Sequence, residues 1–171
     1  NIKFKKYKEA LSCCEKASSI SPSNVNLLNI KASILSELKE YEEALSCYNK
    51  LIAVTPNNAE LLNQKALVLT KLYRYEKALD CYEQALLIDP NNLNSLIHKG
   101  IIFKDTKEYE KALFCFDQIL SIKPKDPESS FNKATILLLK GEIEKGLKLY
   151  ELRWGTQAKA PMKRSFKQPL W

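Results

Sequence analysis

Glycine is scarce: the chain has four in 171 residues. So few leave no Gly-rich phosphate loop and no mobile catalytic loop. Histidine occurs once, as His98. A lone imidazole has no second ligand or catalytic partner of its kind, so it reads as a solvated or hydrogen-bonded surface residue. No nucleophile elbow and no metal-spaced cluster occurs. Apolar runs fall short of the roughly 18 residues that mark a membrane span. The opening NIKFKKYKEA has no apolar h-region and does not read as a signal peptide. It also lacks an initiator Met and begins in mid-repeat, so an excised fragment is expected. Period-two alternation of apolar residues is missing as well, which argues against strands. The chain is therefore not expected to be an enzyme, and neither cofactor nor metal is expected.

One-signed charge is also missing from the body of the chain. The net charge is +7. Residues 1–22 carry five Lys against two Glu, residues 23–144 carry 15 basic against 17 acidic residues, and residues 145–171 carry seven basic residues against Glu151. A nucleic-acid reading would have to rest on the two ends alone and is disfavoured.

A repeat dominates what remains. Tyr75 begins YEKALDCYEQALLIDPNN, and close copies begin at Tyr7, Tyr41 and Tyr109, each 34 residues from the next. A worn copy, IEKGLKLYELRW, begins at Ile143. Ala10, Ala44, Ala78 and Ala112 keep the same spacing, as do Pro22, Pro56, Pro90 and Pro124. A fixed period of this length is the mark of a solenoid. Each repeat reads as two antiparallel helices. First helices are expected at about 24–37, 58–71, 92–105 and 127–139, with Asn24, Asn58, Asn92 and Asp126 as N-caps. Pro127 suits the first helical position. Second helices are expected at about 7–20, 41–53, 75–88, 109–122 and 142–154, each cut off from the next first helix by a proline. In one repeat Leu62, Ala66, Leu69, Ala78, Tyr82 and Ala85 form a single apolar face.

These residues resemble the tetratricopeptide repeat. The period, the Tyr-x-x-Ala start, the closing Pro and the small residue at Ala32, Ala66, Gly100 and Ala134 carry the likeness over about residues 1–152. One departure is that Leu28, Leu62 and Leu96 stand where that family opens with Trp. The resemblance implies an all-α, right-handed solenoid over 1–154, with a half-repeat 1–22 and repeats 25–58, 59–92, 93–126 and 127–154. Residues 155–171 are expected to form a basic cap or linker, with Trp154, Phe166, Leu170 and Trp171 folding back over the last helix.

Cys13, Cys47, Cys81 and Cys115 are again 34 apart. Stacked helices lie about 8–10 Å apart, too far for a disulfide. They are expected to pack as small hydrophobes, and reduced thiols suit a cytoplasmic location.

Function in such a solenoid is expected on the face of the first helices turned away from the second helices. The candidates are Asn26, Asn29, Ser33 and Ser36, then Glu60, Asn63, Gln64, Leu67 and Lys71. Asn94, Ile97, His98, Ile101 and Lys104 follow, then Phe131, Asn132 and Thr135. Amides donate and accept at once, so Asn29, Asn63, Gln64 and Asn132 could hold a peptide backbone regardless of its sequence. Ile30, Ile97 and Phe131 interrupt that ladder. The resemblance implies a polypeptide partner in extended form. It also argues against chaperone-tail recognition, because Asn29, Ser33, Asn63 and Leu67 occupy the positions of the family's carboxylate clamp, and the cations it needs are missing. Lys31, Lys65, Lys99 and Lys133 form a further ladder; one reading is a basic stripe for acidic ligands or phosphates, and the favoured one is stems packed across a helix pair with the ammonium in water. The apolar side of helix 7–20, with Leu11, Cys14 and Ile20, would be left open, which makes homo-oligomer formation a further expectation.

A second resemblance lies at the C-terminal end. Gly146, Tyr150, Arg153, Trp154, Pro169, Leu170 and Trp171 are similar in order to the junction at which bacterial tetratricopeptide-repeat proteins continue into a glycosyltransferase-like domain. It implies that the chain could serve as the substrate-presenting arm of a larger enzyme.

Overall fold

A computed structural model describes residues 2–20 and 24–150. Among them are nine helices and no strand. They are α1 (Ile2–Ile20), α2 (Val25–Glu37), α3 (Tyr41–Val54), α4 (Ala59–Lys71), α5 (Tyr75–Ile88), α6 (Leu93–Asp105), α7 (Tyr109–Ile122), α8 (Pro127–Leu139) and α9 (Ile143–Tyr150).

The even-numbered helices start as capping chemistry requires. The Asn24 side chain accepts from the Asn26 and Leu27 amides, Asn58 from the Leu61 amide, Asn92 from the Ser95 amide, and Asp126 from the Ser129 amide. Each bond satisfies an amide that the first helical turn cannot. Pro127 sits at the start of α8, where its missing N–H costs nothing. These helices end alike too. Lys39, Tyr73, Lys107 and Gly141 all take positive φ, at 66°, 57°, 65° and 82°. The next residue donates back across the helix end: Glu40 to Leu35 O, Arg74 to Leu69 O, Glu108 to Phe103 O and Glu142 to Leu137 O. This is a left-handed C-terminal cap, and only one of its four positions holds the glycine that adopts it without strain.

α1 departs from expectation. It is continuous from Ile2, rather than beginning near residue 7. Lys5, the counterpart of Lys39, stays helical. The left-handed turn is held by the bond back to a preceding first helix, and none precedes α1 among the described residues. Without that bond lysine keeps its right-handed preference.

The described residues divide into two compact units between Ser95 and Leu96. In the first, α2 packs on α3 and α4 on α5. Leu62, Ala66, Leu69, Ala78, Tyr82 and Ala85 are all buried. Each large aliphatic chain so buried contributes about 1.5–3 kcal/mol. Ala66 and Ala78 are fully buried, which lets α4 and α5 approach closely. α1 covers one side of α2: Tyr7, Ala10, Leu11 and Cys14 pack on Ile34 and Leu38. The expectation of an open apolar side on this helix is thus corrected for Leu11, which is half-buried, and for Cys14, which is buried. Only Ile20 is open, at 84% exposure.

In the second unit the remainder of α6 packs on α7. A Cβ at Gly100 would lie 2.9 Å from the Phe116 ring and 3.2 Å from Cys115. Ala112, Ile119, Ala134 and Ile136 complete the interior. Gly146 replaces the repeat's alanine for a reason: a Cβ there would come within 2.7 Å of Leu138. The expected end of this helix at 154 and the expected cap over 155–171, including Trp154, Phe166, Leu170 and Trp171, lie outside the described residues.

Cysteine behaviour follows from position. No disulfide joins the five thiols. Cys47, Cys81 and Cys115 are buried as expected, but their counterpart Cys13 is exposed, and its neighbour Cys14 is buried instead. Burial pushes the Cys47 and Cys81 thiols above their ordinary pKa, and the nearby Lys31 and Lys65 only partly offset it. Burial likewise raises the Tyr82 hydroxyl, against a hydrogen bond with Thr70.

Candidate functional site

The expected face can be traced separately in each unit. In the first, Asn26 and Asn29 on α2 are exposed. Ser33 Oγ donates to Asn29 O at 3.1 Å, and Ser36 Oγ to Ala32 O at 2.9 Å, so these hydroxyls are spent on their own helix. On α4, Gln64 Nε2 donates to Glu60 Oε1 at 2.6 Å, leaving its carbonyl oxygen available. Leu67 is half-buried and Lys71 exposed. Asn94, at the start of α6, is exposed.

Asn63 behaves differently. It is 2% exposed, and its Oδ1 accepts from the Ser95 hydroxyl at 3.4 Å. An amide held this way fastens α6 to α4 and offers little to a ligand.

In the second unit Ile97, His98, Ile101 and Lys104 are all half-buried on α6. Lys104 Nζ donates to Asn132 Oδ1 at 2.9 Å, and Asn132 Nδ2 donates to Glu128 O at 3.1 Å. Asn132 is 6% exposed, so both ends of its amide are used internally. Thr135 Oγ1 donates to Phe131 O at 2.9 Å. The Phe131 ring lies 5.4 Å from that of Tyr150 on α9.

Of the four amides expected to form a ladder, Asn63 and Asn132 therefore serve the packing of first helices. Asn29 and Gln64 keep polar atoms at the surface, joined by Asn26 and Asn94. Sequence periodicity does not show which neighbouring helix covers part of a helix face. Ser95 and Lys104 are the partners that close the two amides.

The lysine ladder falls as the packing reading expects. Lys31 Nζ lies 3.6 Å from Glu15, and Lys133 pairs with Asp117. Each acid stands 16 residues earlier, on the preceding second helix. Their side chains are 29% and 24% exposed, so the stems are covered. Lys99 Nζ lies 5.8 Å from the centre of the Phe103 ring. Period reading missed two further ties. Arg74 holds Glu42 in a bidentate pair at 3.1 and 2.5 Å, and Lys140 holds Glu110 at 2.9 Å. Each joins a left-handed turn to the start of the preceding second helix. Hydrogen bonding from Lys140 lowers the Glu110 pKa, and hydrogen bonding to Glu110 raises that of Lys140.

Among the described residues no group of three or more His, Cys, Asp or Glu is placed to hold a metal ion. No described helix is long and apolar enough to cross a membrane.

Comparison with known proteins agrees with this geometry. Tetratricopeptide-repeat family models match residues 59–92 and 93–126, and a further TPR-repeat model matches 32–72. Together they span residues 32–126, more than half of the chain. No curated protein gives a significant match. Among solved structures, the chain is similar to MamA, with TM-score 0.79 and 16% identity over 92% of each chain. It is similar to a tetratricopeptide repeat protein from Parabacteroides merdae, with TM-score 0.80 and 21% identity over 94% of this chain and 62% of that one. It is also similar to YrrB, a TPR protein with an unusual peptide-binding site, with TM-score 0.72 and 19% identity over 92% of this chain and 81% of that one. The helix-pair architecture, the 34-residue period and these matches together show that the chain belongs to the tetratricopeptide-repeat family.

Proposed function

We propose that the chain is a protein-interaction module that holds an extended polypeptide segment along the face of its first helices. The observation that carries this reading is the exposure of Asn26, Asn29 and Asn94 on that face, together with the half-buried Gln64. An amide in water can exchange its hydration for a peptide backbone group at small net cost. Ser33, Leu67 and Lys71 are the further candidates on the first unit, Ile97, His98, Ile101 and Lys104 those on α6 of the second, and a cytoplasmic location accords with the reduced thiols. Asn63 and Asn132 act as spacers within the scaffold.

The test is affinity for peptides selected from a random library. Asn29→Ala and Asn94→Ala should each weaken binding by roughly 3- to 10-fold, the worth of one hydrogen bond. Asn63→Ala should lower stability and leave the affinity of the folded protein unchanged. Unaltered affinity in both surface variants would reject the amide contacts. Loss confined to Asn63→Ala would reject its role as a spacer.

Self-association is the second reading, supported by the exposure of Ile20 at the end of α1. Ile20→Asp should then shift sedimentation toward the monomer. The substrate-arm reading rests on residues 146–171, most of which lie outside the described residues.

A further inference from the structure

Two cavities occupy equivalent positions 68 residues apart. One, of about 650 Å³, is lined by Asp117, Lys133, Glu142, Lys145 and Lys148 together with leucines of α7, α8 and α9. The other, of about 350 Å³, lies among α3, α4 and α5. Its polar lining is Asn49, Lys65, Arg74, Lys77, Asp80 and Gln84. In the larger cavity two of the three lysines are paired, Lys133 with Asp117 and Lys145 with Glu142 at 2.9 Å, while Lys148 forms no ion pair among the described residues. In the smaller one Asn49 stands where Asp117 does, and Arg74 where Glu142 does. Both neutralising carboxylates are gone. Arg74 is fixed from outside by its bidentate pair with Glu42. Among the described residues Lys65 and Lys77 form no ion pair, and Asp80 is the one carboxylate on the lining. The lining thus carries two unpaired lysines, the Arg74 guanidinium whose charge Glu42 offsets from outside, and one acid, with two amides beside them.

We propose that this cavity binds an oxyanion of the phosphate class, free or as a small organic phosphate monoester. Three cationic donors around a concave wall suit a compact dianion, and the recess concentrates their field. The pre-positioned Arg74 guanidinium offers the N–H groups that Glu42 does not engage, while the two ammonium groups act as point charges. The Asn49 and Gln84 amides can complete the oxygen contacts. The site lies on the second-helix side of the first unit and does not depend on the peptide-binding reading.

The test is a nuclear magnetic resonance titration of the full chain with sodium phosphate, with sodium chloride at matched ionic strength as the control. A parallel titration uses O-phosphoserine. Saturable shifts are expected at Asn49, Lys65, Lys77 and Gln84 and not with chloride. Lys77→Gln, a change at an exposed position, should weaken binding roughly 10-fold, and Lys65→Met by at least as much. The double variant Asp117→Asn, Glu142→Arg should gain phosphate-dependent shifts at Lys133 and Lys145. Tighter binding of phosphoserine would identify an organic phosphate as the ligand, and equal binding a free oxyanion. Shifts that chloride reproduces, shifts scattered over all surface lysines, or an affinity unchanged in Lys77→Gln would overturn the proposal. Circular dichroism of Lys65→Met separates lost binding from lost folding, and Lys77→Gln decides the matter if Lys65→Met does not fold.

Discussion

At single residues the repeat shows where it tolerates strain. Lys39, Tyr73 and Lys107 hold a left-handed conformation that costs a side-chain-bearing residue about 1–2 kcal/mol, while Gly141 holds it freely. Lys107→Gly should therefore stabilise the protein, by about 0.5–1 kcal/mol after the larger chain entropy of glycine is deducted. Urea denaturation with an unchanged slope checks this, and a loss of stability would refute it. Thiol chemistry should sort by exposure in the same residue-by-residue way. Cys13 should react with a thiol reagent at once, and Cys14, Cys47, Cys81 and Cys115 only as the chain opens, because all four are buried. A single fast equivalent per chain is the expected reading. The period alone put Cys13 with the buried set, since spacing does not reveal which of two adjacent cysteines a neighbouring helix covers.

Helix pairs are where small residues matter. Gly100 faces the fully buried Phe116 ring, at a position where the other repeats have alanine. Gly100→Ala gains up to about 1 kcal/mol in helix propensity but must displace that ring and Cys115, an overpacking cost of about 1–3 kcal/mol. A net loss near 1 kcal/mol is expected in thermal unfolding. Restoring room with Phe116→Leu in the Gly100→Ala background should reduce the added cost of the alanine. Helix starts were legible because capping is local: Asn24, Asn58, Asn92 and Asp126 lie within three residues of the amides they satisfy. The start of α1 was not: where the other second helices follow a left-handed turn, α1 runs on as helix through Lys5.

For the molecule as a whole, ionisation predicts a plateau of stability with falls on both sides. Burial of Asp126 opposes its charge, but Lys123 and Ser129 outweigh it and leave the pKa lowered. Glu108, Glu110 and Glu142 are lowered chiefly by hydrogen bonds from Lys111, Lys140 and Lys145 respectively. A carboxylate with a depressed folded pKa stabilises the fold above its ordinary value near 4 and loses that contribution as pH falls through the folded value. The thermal midpoint should hold from about pH 8 down to about pH 5 and drop below about pH 4. At the other end the raised Cys47, Cys81 and Tyr82 values work in reverse. The unfolded chain ionises first, so stability falls as pH rises beyond about 8.5. A midpoint that keeps rising above that pH would contradict the burial of these groups.

The chain's own order of residues was enough for the period, the helix pairs, their caps and the small residues between them. All of these act over a few residues or repeat at a constant spacing, so local geometry and one hydrophobic period determine them. Contacts between helices 30 or so residues apart were beyond that reach. Only the packed structure closed Asn63 with Ser95 and Asn132 with Lys104, tied Arg74 to Glu42, and left Lys65 and Lys77 without the acids that settle Lys133 and Lys145. Whether a polar side chain on a given helix face is spent or available depends on what the neighbouring helix brings against it, and spacing along the chain does not carry that information.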